Sequence, residues 1–146
     1  MIPKELVDFI RALGVFPVVL GTVDRDSNQH LTFITWVYPL DDRTIRFALS
    51  SKATSAKNIA ETGKVSFMIF GANIALAIYG KAKLILDSIE EVKFPVSVFE
   101  ASVERVENVL FPGGTVTGPI PFAHTGDLLK ASELDELVLS ALRKQL

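Results

Sequence analysis

The feature that most constrains the fold is the alternation of apolar with small or polar residues along the middle of the chain. Ile45, Phe47 and Leu49 follow this period, which recurs over 65–69 and at the even positions of 74–86. Successive side chains of a β-strand point to opposite faces of its sheet, so the period predicts strands with one buried face. The short polar turns between these segments predict antiparallel pairing.

This pattern predicts a mainly β fold. The strands are expected over 16–23, 30–38, 45–50, 65–69, 74–86 and about 96–110. Gly80 interrupts the longest of them, as expected where a sheet bends or two backbones approach closely. Six antiparallel strands in a chain of 146 residues predict one domain, 1–146, folded as a small barrel.

Three helices are expected at the periphery of this barrel. Helical spacing of apolar residues predicts one over 4–13, ended by Gly14, and the segment 50–61 predicts a second, ended by Gly63. Ser132 followed by Asp135 resembles a capping box and predicts the start of the last helix.

Composition narrows the class of protein. Hydrophobic residues make up 49% of the chain, so we expect a subunit interface to cover part of the apolar surface. A net charge of −2 argues against nucleic acid as a partner. With no cysteine and two histidines, no metal site is expected. The N-terminus does not resemble a signal peptide and no apolar run reaches the ~20 residues of a membrane helix, which predicts a soluble, cytoplasmic protein without membrane contact.

The segment 50–58 is the most informative for function. It combines a strand end, several hydroxyl side chains and a helix start that carries Lys52 and Lys57. Free backbone N–H groups and the positive end of the helix dipole make such a start a ready phosphate site. The alternative is that Ser51 or Thr54 only caps the helix while the lysines are solvated.

Six short segments follow one another in a recognisable order. They are LGTVD at 20–24, TFITWV at 32–37, IRFALS at 45–50, SAKNI at 55–59, KVSF at 64–67 and GKA at 80–82. In this order they resemble the pyridoxamine 5′-phosphate oxidase-like family of FMN-binding split barrels. The resemblance covers about half of the chain and implies a six-stranded antiparallel split β-barrel with short peripheral helices.

The resemblance also implies a homodimer with FMN at the subunit interface. The positions that match the family's phosphate-binding region are Ser50, Ser51, Lys52, Thr54, Ser55, Lys57 and Asn58. Those that match the strand beside the flavin ring are Thr35, Trp36 and Val37. Such an interface would account for the apolar surplus.

Some positions depart from the family's pattern. The oxidases themselves carry an Arg and a Lys where this chain has Phe33 and Tyr38, and an Arg-Lys pair where it has Thr54 and Ser55. Their substrate-binding Arg and His motif has no clear counterpart in 111–146. Oxidation of pyridoxamine phosphate is therefore not expected.

Three functions remain open. The first is a flavin-dependent oxidoreductase with an unidentified small-molecule substrate and no assigned catalytic residue. The second is a non-catalytic dimeric module that binds flavin or haem, and the third is an interaction domain without a ligand. Trp36 either stacks on a flavin or belongs to the core or an interface. His124, on the loop 111–126, either covers a ligand or is an ordinary loop residue, and His30 is expected to face solvent.

Overall fold

A computed structural model describes residues 1–144 of the chain. Residues 145 and 146, which the sequence prediction included in the domain, lie outside the described residues. The elements in chain order are α1 (Lys4–Leu13), β1 (Val18–Val23), β2 (Gln29–Ile34), β3 (Val37–Pro39), β4 (Thr44–Ser50), α2 (Thr54–Thr62), β5 (Lys64–Gly71), β6 (Ile74–Leu86), β7 (Val96–Asn108) and α3 (Leu128–Arg143). The predicted mainly β, barrel-type fold is confirmed, although seven strands replace the expected six.

The extra strand arises because the predicted strand 30–38 is two strands. β2 pairs with β1 as far as Ile34, after which the Thr35 carbonyl accepts a hydrogen bond from the Phe16 amide. The Trp36 carbonyl then accepts one from the Ala48 amide, and β3 pairs with β4. The prediction of a single strand was wrong because this stretch changes its pairing partner halfway along.

The sheet is curled, with β2 and β3 at its opposite edges. Its strand order is β2-β1-β5-β6-β7-β4-β3, and all its pairs are antiparallel. The three residue steps from Ile34 to Val37 span at most about 10 Å, so the two edges must approach each other there. We call this junction of the two edges the seam.

Gly80 permits the close pairing of β6 with β7. The register between these strands shifts between Tyr79 and Gly80, and a Cβ on Gly80 would collide with the Ser102 carbonyl oxygen. The predicted bend or close approach at this glycine is confirmed.

The interior of the curled sheet is filled by apolar side chains that alternate along its strands. Phe47 lies at its centre, stacked on Phe99 at 5.5 Å between ring centroids and edge-on to Phe67 at 5.4 Å. Leu6 and Ile10 of α1 belong to the same cluster, so the first helix packs against the barrel interior. Among residues 1–144, no helix combines the length and the apolar character needed to cross a bilayer.

α3 covers the outer side of β3 and β4 and forms a second apolar cluster. Val138 and Leu142 are fully buried there together with Val96 and Val98. The predicted capping box at Ser132 was wrong: the helix begins earlier, where the Asp127 side chain accepts a hydrogen bond from the Lys130 amide.

The buried Arg46 ties the end of α3 to the sheet. Its Nε lies 3.1 Å from Glu100 Oε2, and its Nη1 donates to the carbonyl oxygens of Leu142 and Lys144. The guanidinium thereby satisfies carbonyl groups that the helix leaves without partners at its end.

Candidate functional site

The site is built around the start of α2, which has no side-chain cap. Ala53 occupies the N-cap position and cannot accept a hydrogen bond through its side chain. Within residues 1–144, no acceptor meets the backbone N–H groups of Thr54, Ser55 and Ala56. The alternative that Ser51 or Thr54 caps this helix was therefore wrong. Three free donors and the positive end of the helix dipole point out of the helix together.

Ser55 carries the most unusual polar group at this helix start. The residue is only 1% exposed, and its Oγ has no hydrogen-bond partner among the described residues. Neighbouring Ala56 and Ile59 are buried in the barrel cluster and hold this face of α2 against the sheet. Burying an unbonded hydroxyl costs about 1–3 kcal/mol, so such groups are rare unless a ligand or a water completes them.

Ser55 lines a pocket of about 390 Å³ at the seam. The wall is formed by the end of β2, the two residues that follow it, the end of β4, the start of α2 and one residue of the loop before α3. The lining residues are Thr32, Phe33, Ile34, Thr35, Trp36, Ala48, Leu49, Ser50, Ala53, Ser55 and Phe122. Among the described residues, no charged side chain lines this pocket, while three aromatic side chains do. We call it the seam pocket.

The structure brings four of the sequence-predicted site residues together in the seam pocket. These are Thr35, Trp36, Ser50 and Ser55. Val37 is instead buried in the barrel cluster, and Thr54 is exposed at the helix start.

Three other predicted residues lie on the far side of α2. Ser51, Lys52 and Lys57 line a separate groove of about 720 Å³ between α2 and the strands β6 and β7. Ser55 and Lys57 are two positions apart, which places their side chains about 200° apart around the helix axis. A Lys57 side chain therefore does not share the face of Ser55.

Lys57 and Asn58 have partners away from the seam pocket. Lys57 Nζ lies 3.9 Å from Glu61 Oε2. Hydrogen bonds from Asn28, first from its backbone N–H, lower the pKa of Asp24, and the charge of Lys57 contributes to the same shift. The amide of Asn58 donates to Thr22 Oγ1 at 3.0 Å, a buried bond that ties α2 to β1.

Sequence reasoning missed Asp135 and Phe122 beside the seam pocket, although it singled out His124 as a residue that either covers a ligand or is an ordinary loop residue. Asp135 is 9% exposed, and its Oδ1 accepts a hydrogen bond from Trp36 Nε1 at 2.8 Å. Its Oδ2 lies 2.6 Å from His124 Nε2. The Phe122 ring lies 6.1 Å from that of Phe33 and 5.3 Å from that of His124. No local pattern could have indicated a bond between residues 99 positions apart.

The fold and the site define a class: a small curled β-barrel with a pocket at its seam, where free helix N–H groups and aromatic side chains meet. The chain belongs to the pyridoxamine 5′-phosphate oxidase family, whose model matches residues 2–110. No curated protein matches the chain.

Several solved structures share the fold. HupZ of Group A Streptococcus is 20% identical, with a TM-score of 0.61 over 81% of this chain and 100% of that one. An FMN-binding protein from Syntrophomonas wolfei is 19% identical, with a TM-score of 0.54 over 74% of this chain and 88% of that one. HutZ, the haem storage protein from Vibrio cholerae, is 14% identical, with a TM-score of 0.56 over 74% and 95%. At these identities the likeness establishes the fold alone.

Proposed function

We propose that the chain binds FMN in the seam pocket. One observation carries the proposal: a helix start without a side-chain cap, carrying the unpartnered, buried Ser55, forms part of the wall of a pocket lined by aromatic side chains. Membership of the pyridoxamine 5′-phosphate oxidase family supports it, as does the shared fold with an FMN-binding protein.

The phosphate end of the ligand fits the start of α2. Phosphate oxygens would accept hydrogen bonds from the amides of Thr54, Ser55 and Ala56 and from Ser55 Oγ, and would lie at the positive end of the helix dipole. These donors include no lysine or arginine, since Lys52 and Lys57 line the other groove. Binding by neutral donors predicts a weaker hold on the phosphate than a basic site would give.

The flat ring system fits the aromatic part of the pocket. Trp36 and Phe122 offer large apolar surfaces on which a planar ring can stack. Thr35, beside Trp36, offers polar atoms just after β2. A bound flavin supplies hydride chemistry, and the chain's own residues bind it, orient it and exclude water.

FMN and riboflavin distinguish the two halves of this site, because they share the ring and differ in the phosphate. Trp36 is the single tryptophan of the chain and lines the pocket, so its emission reports binding. We expect FMN to quench this emission and to bind about tenfold or more tighter than riboflavin. Equal affinities for FMN and riboflavin would show that the phosphate does not contact the start of α2. Absence of FMN binding would refute the proposal.

We further propose that the chain with bound FMN is an oxidoreductase that acts on a small-molecule substrate. The FMN complex is then expected to lose its visible absorbance when NADH or NADPH is added without oxygen. The second candidate is a binding module without turnover, which is favoured by the lack of a charged side chain lining the seam pocket within the described residues. Unchanged absorbance would support this candidate.

Haem is a less suitable ligand for the same pocket. His124 Nε2 is engaged by Asp135, and His30 lines a different cavity of about 310 Å³ on the β1 and β5 side of the sheet. A haem titration that displaces FMN and produces an iron–histidine absorption band would favour haem instead.

We further propose that two copies of the chain form a homodimer through the outer face of β2, β1, β5 and β6. Along β5 the inward residues are buried, yet outward Met68 and Phe70 are apolar too. Leu31 and Phe33 on β2 extend this outer face and are 72% and 49% exposed. A strand that is apolar on both faces is typical of a sheet covered on both sides. Phe33 also lines the seam pocket, so the dimer contact would adjoin the ligand.

The mass in solution tests the dimer. Leu31→Lys places a charge in the proposed interface and is expected to give a monomer by light scattering. Leu129→Lys is the matched control, since Leu129 is 70% exposed on α3, a helix that packs on β3 and β4 rather than on β2, β1, β5 and β6. A monomeric unmodified protein, or a dimer that Leu31→Lys leaves intact, would contradict the proposed interface.

A further inference from the structure

We propose that residues 119–124 form a flap over the seam pocket, which the Asp135 carboxylate holds in place by joining Trp36 to His124. Asp135 and His124 are then positioning residues, and Phe122 is the flap's contact with the ligand. This inference rests on the proposed function, because the ligand that the flap covers is the proposed FMN.

Asp135 uses both carboxylate oxygens in this arrangement. The indole of Trp36 can only donate, and an ionised carboxylate can only accept. His124 therefore carries a proton on Nε2 when Asp135 is ionised, and the carboxylate accepts one hydrogen bond from the pocket wall and one from the flap. Charge-assisted bonds of this kind are about twice as strong as neutral ones.

The flap depends on this contact because little else holds it. Between 117 and 126, no backbone group forms a hydrogen bond within the described part of the chain. The bond from His124 to Asp135 is the only side-chain hydrogen bond that this stretch makes there. A cavity of about 290 Å³, lined by Leu13 and Val15 among others, lies on the other side of Phe122. The segment therefore lies between two cavities rather than on a filled core.

Phe122 separates these two cavities. Its ring lines the seam pocket and the cavity behind the flap, and it contacts the rings of both Phe33 and His124. Releasing His124 would free the ring that covers the pocket. The start of α2 would stay unchanged, so the loss should fall on the dissociation rate of the ligand rather than on recognition of its phosphate.

The first test uses Trp36 as a reporter without ligand. His124→Ala breaks the bond of the flap to Asp135 and leaves Trp36 its own bond. We expect acrylamide to quench Trp36 emission about twofold more strongly in this variant and in Phe122→Ala, because the pocket wall is open. Phe111→Ala is the control, since Phe111 is 73% exposed on the same loop and lines neither cavity.

The second test measures FMN dissociation. His124→Ala is expected to raise the dissociation rate about tenfold, with the preference for FMN over riboflavin retained. Asp135→Leu should have the same effect. In Asp135→Asn, FMN should dissociate nearly as slowly as from the unmodified protein. The asparagine amide can accept a hydrogen bond from Trp36 and donate one to an unprotonated His124 Nε2. Glu133→Gln removes an exposed carboxylate from the same helix and should change nothing.

The outcomes separate the flap from the proposed function. Quenching that stays the same in both His124→Ala and Phe122→Ala would overturn the flap, as would stronger quenching with an unchanged dissociation rate. If the unmodified protein does not bind FMN, the proposed function fails, and the flap is decided by acrylamide quenching alone. His124 is on a loop, so we expect His124→Ala to fold. This variant therefore tests the flap even if Asp135→Leu does not fold.

Discussion

Ser55→Ala tests whether the Ser55 hydroxyl serves ligand binding or the stability of the fold. If it serves ligand binding, the variant should be more stable than the unmodified protein and should bind FMN more weakly. In the free protein the Ser55 hydroxyl is buried without a partner, which costs about 1–3 kcal/mol. Removing it should raise the free energy of unfolding by about 1–2 kcal/mol, or the melting temperature by about 3–6 °C. The same change removes a hydrogen bond to a charged phosphate, worth about 1.5–3 kcal/mol, so FMN affinity should fall about 10- to 150-fold.

Ser97→Ala is the matched control, since Ser97 is 3% exposed and its hydroxyl donates to the Asp87 carbonyl at 2.7 Å. This variant should lose about 1 kcal/mol of stability and keep its FMN affinity. Thermal unfolding without ligand and titration of Trp36 emission give the two quantities for each variant. A Ser55→Ala protein that is less stable than the unmodified one, or that binds FMN equally well, would refute the reasoning about this hydroxyl.

Three further changes test the surroundings of the site. Gly80→Ala forces β6 away from β7 and should lower the free energy of unfolding by about 2 kcal/mol or more, measured by chemical denaturation. Asn58→Ala breaks the buried bond to Thr22 and should cost about 1–3 kcal/mol of stability, while the folded fraction keeps its FMN affinity within about twofold. The lowered pKa of Asp24 adds stability that is present above its ordinary pKa and is lost as the pH falls through the lowered value. Asn28→Ala removes the side-chain hydrogen bond to Asp24 and keeps the backbone one, so it should return the pKa of Asp24 only part of the way toward its ordinary value in an NMR titration. An unchanged pKa would contradict the contribution assigned to the Asn28 side chain.

The strands could be predicted from sequence because their period is local. Val65, Phe67 and Ile69 alternate over a few residues of β5, and burial of that face follows from the period alone. In β4 the other face is buried too, because α3 covers it. The break between β2 and β3 could not be predicted, because it depends on which strands lie at the two edges of the curled sheet. The stretch 30–38 has the composition of one strand throughout.

The site was predictable in part for a related reason. A helix start with hydroxyl residues is visible in sequence, and Ser55 was among the expected residues. The burial of its hydroxyl without a hydrogen-bond partner could not be predicted, because it depends on which residues pack over the helix in the folded protein. The separation of Lys57 from Ser55 follows from helix geometry and could have been anticipated. The partnership of Trp36 with Asp135 could not, because only the packing of α3 brings them together.

The most direct test of the account is the response of backbone amides to FMN. In ¹⁵N-labelled protein, FMN should produce its largest amide shifts at Thr54, Ser55 and Ala56, with riboflavin moving them far less. The indole N–H signal of Trp36 should move with both ligands. Shifts centred instead on Lys52 and Lys57 would place the ligand in the groove on the far side of α2 and contradict the central claim.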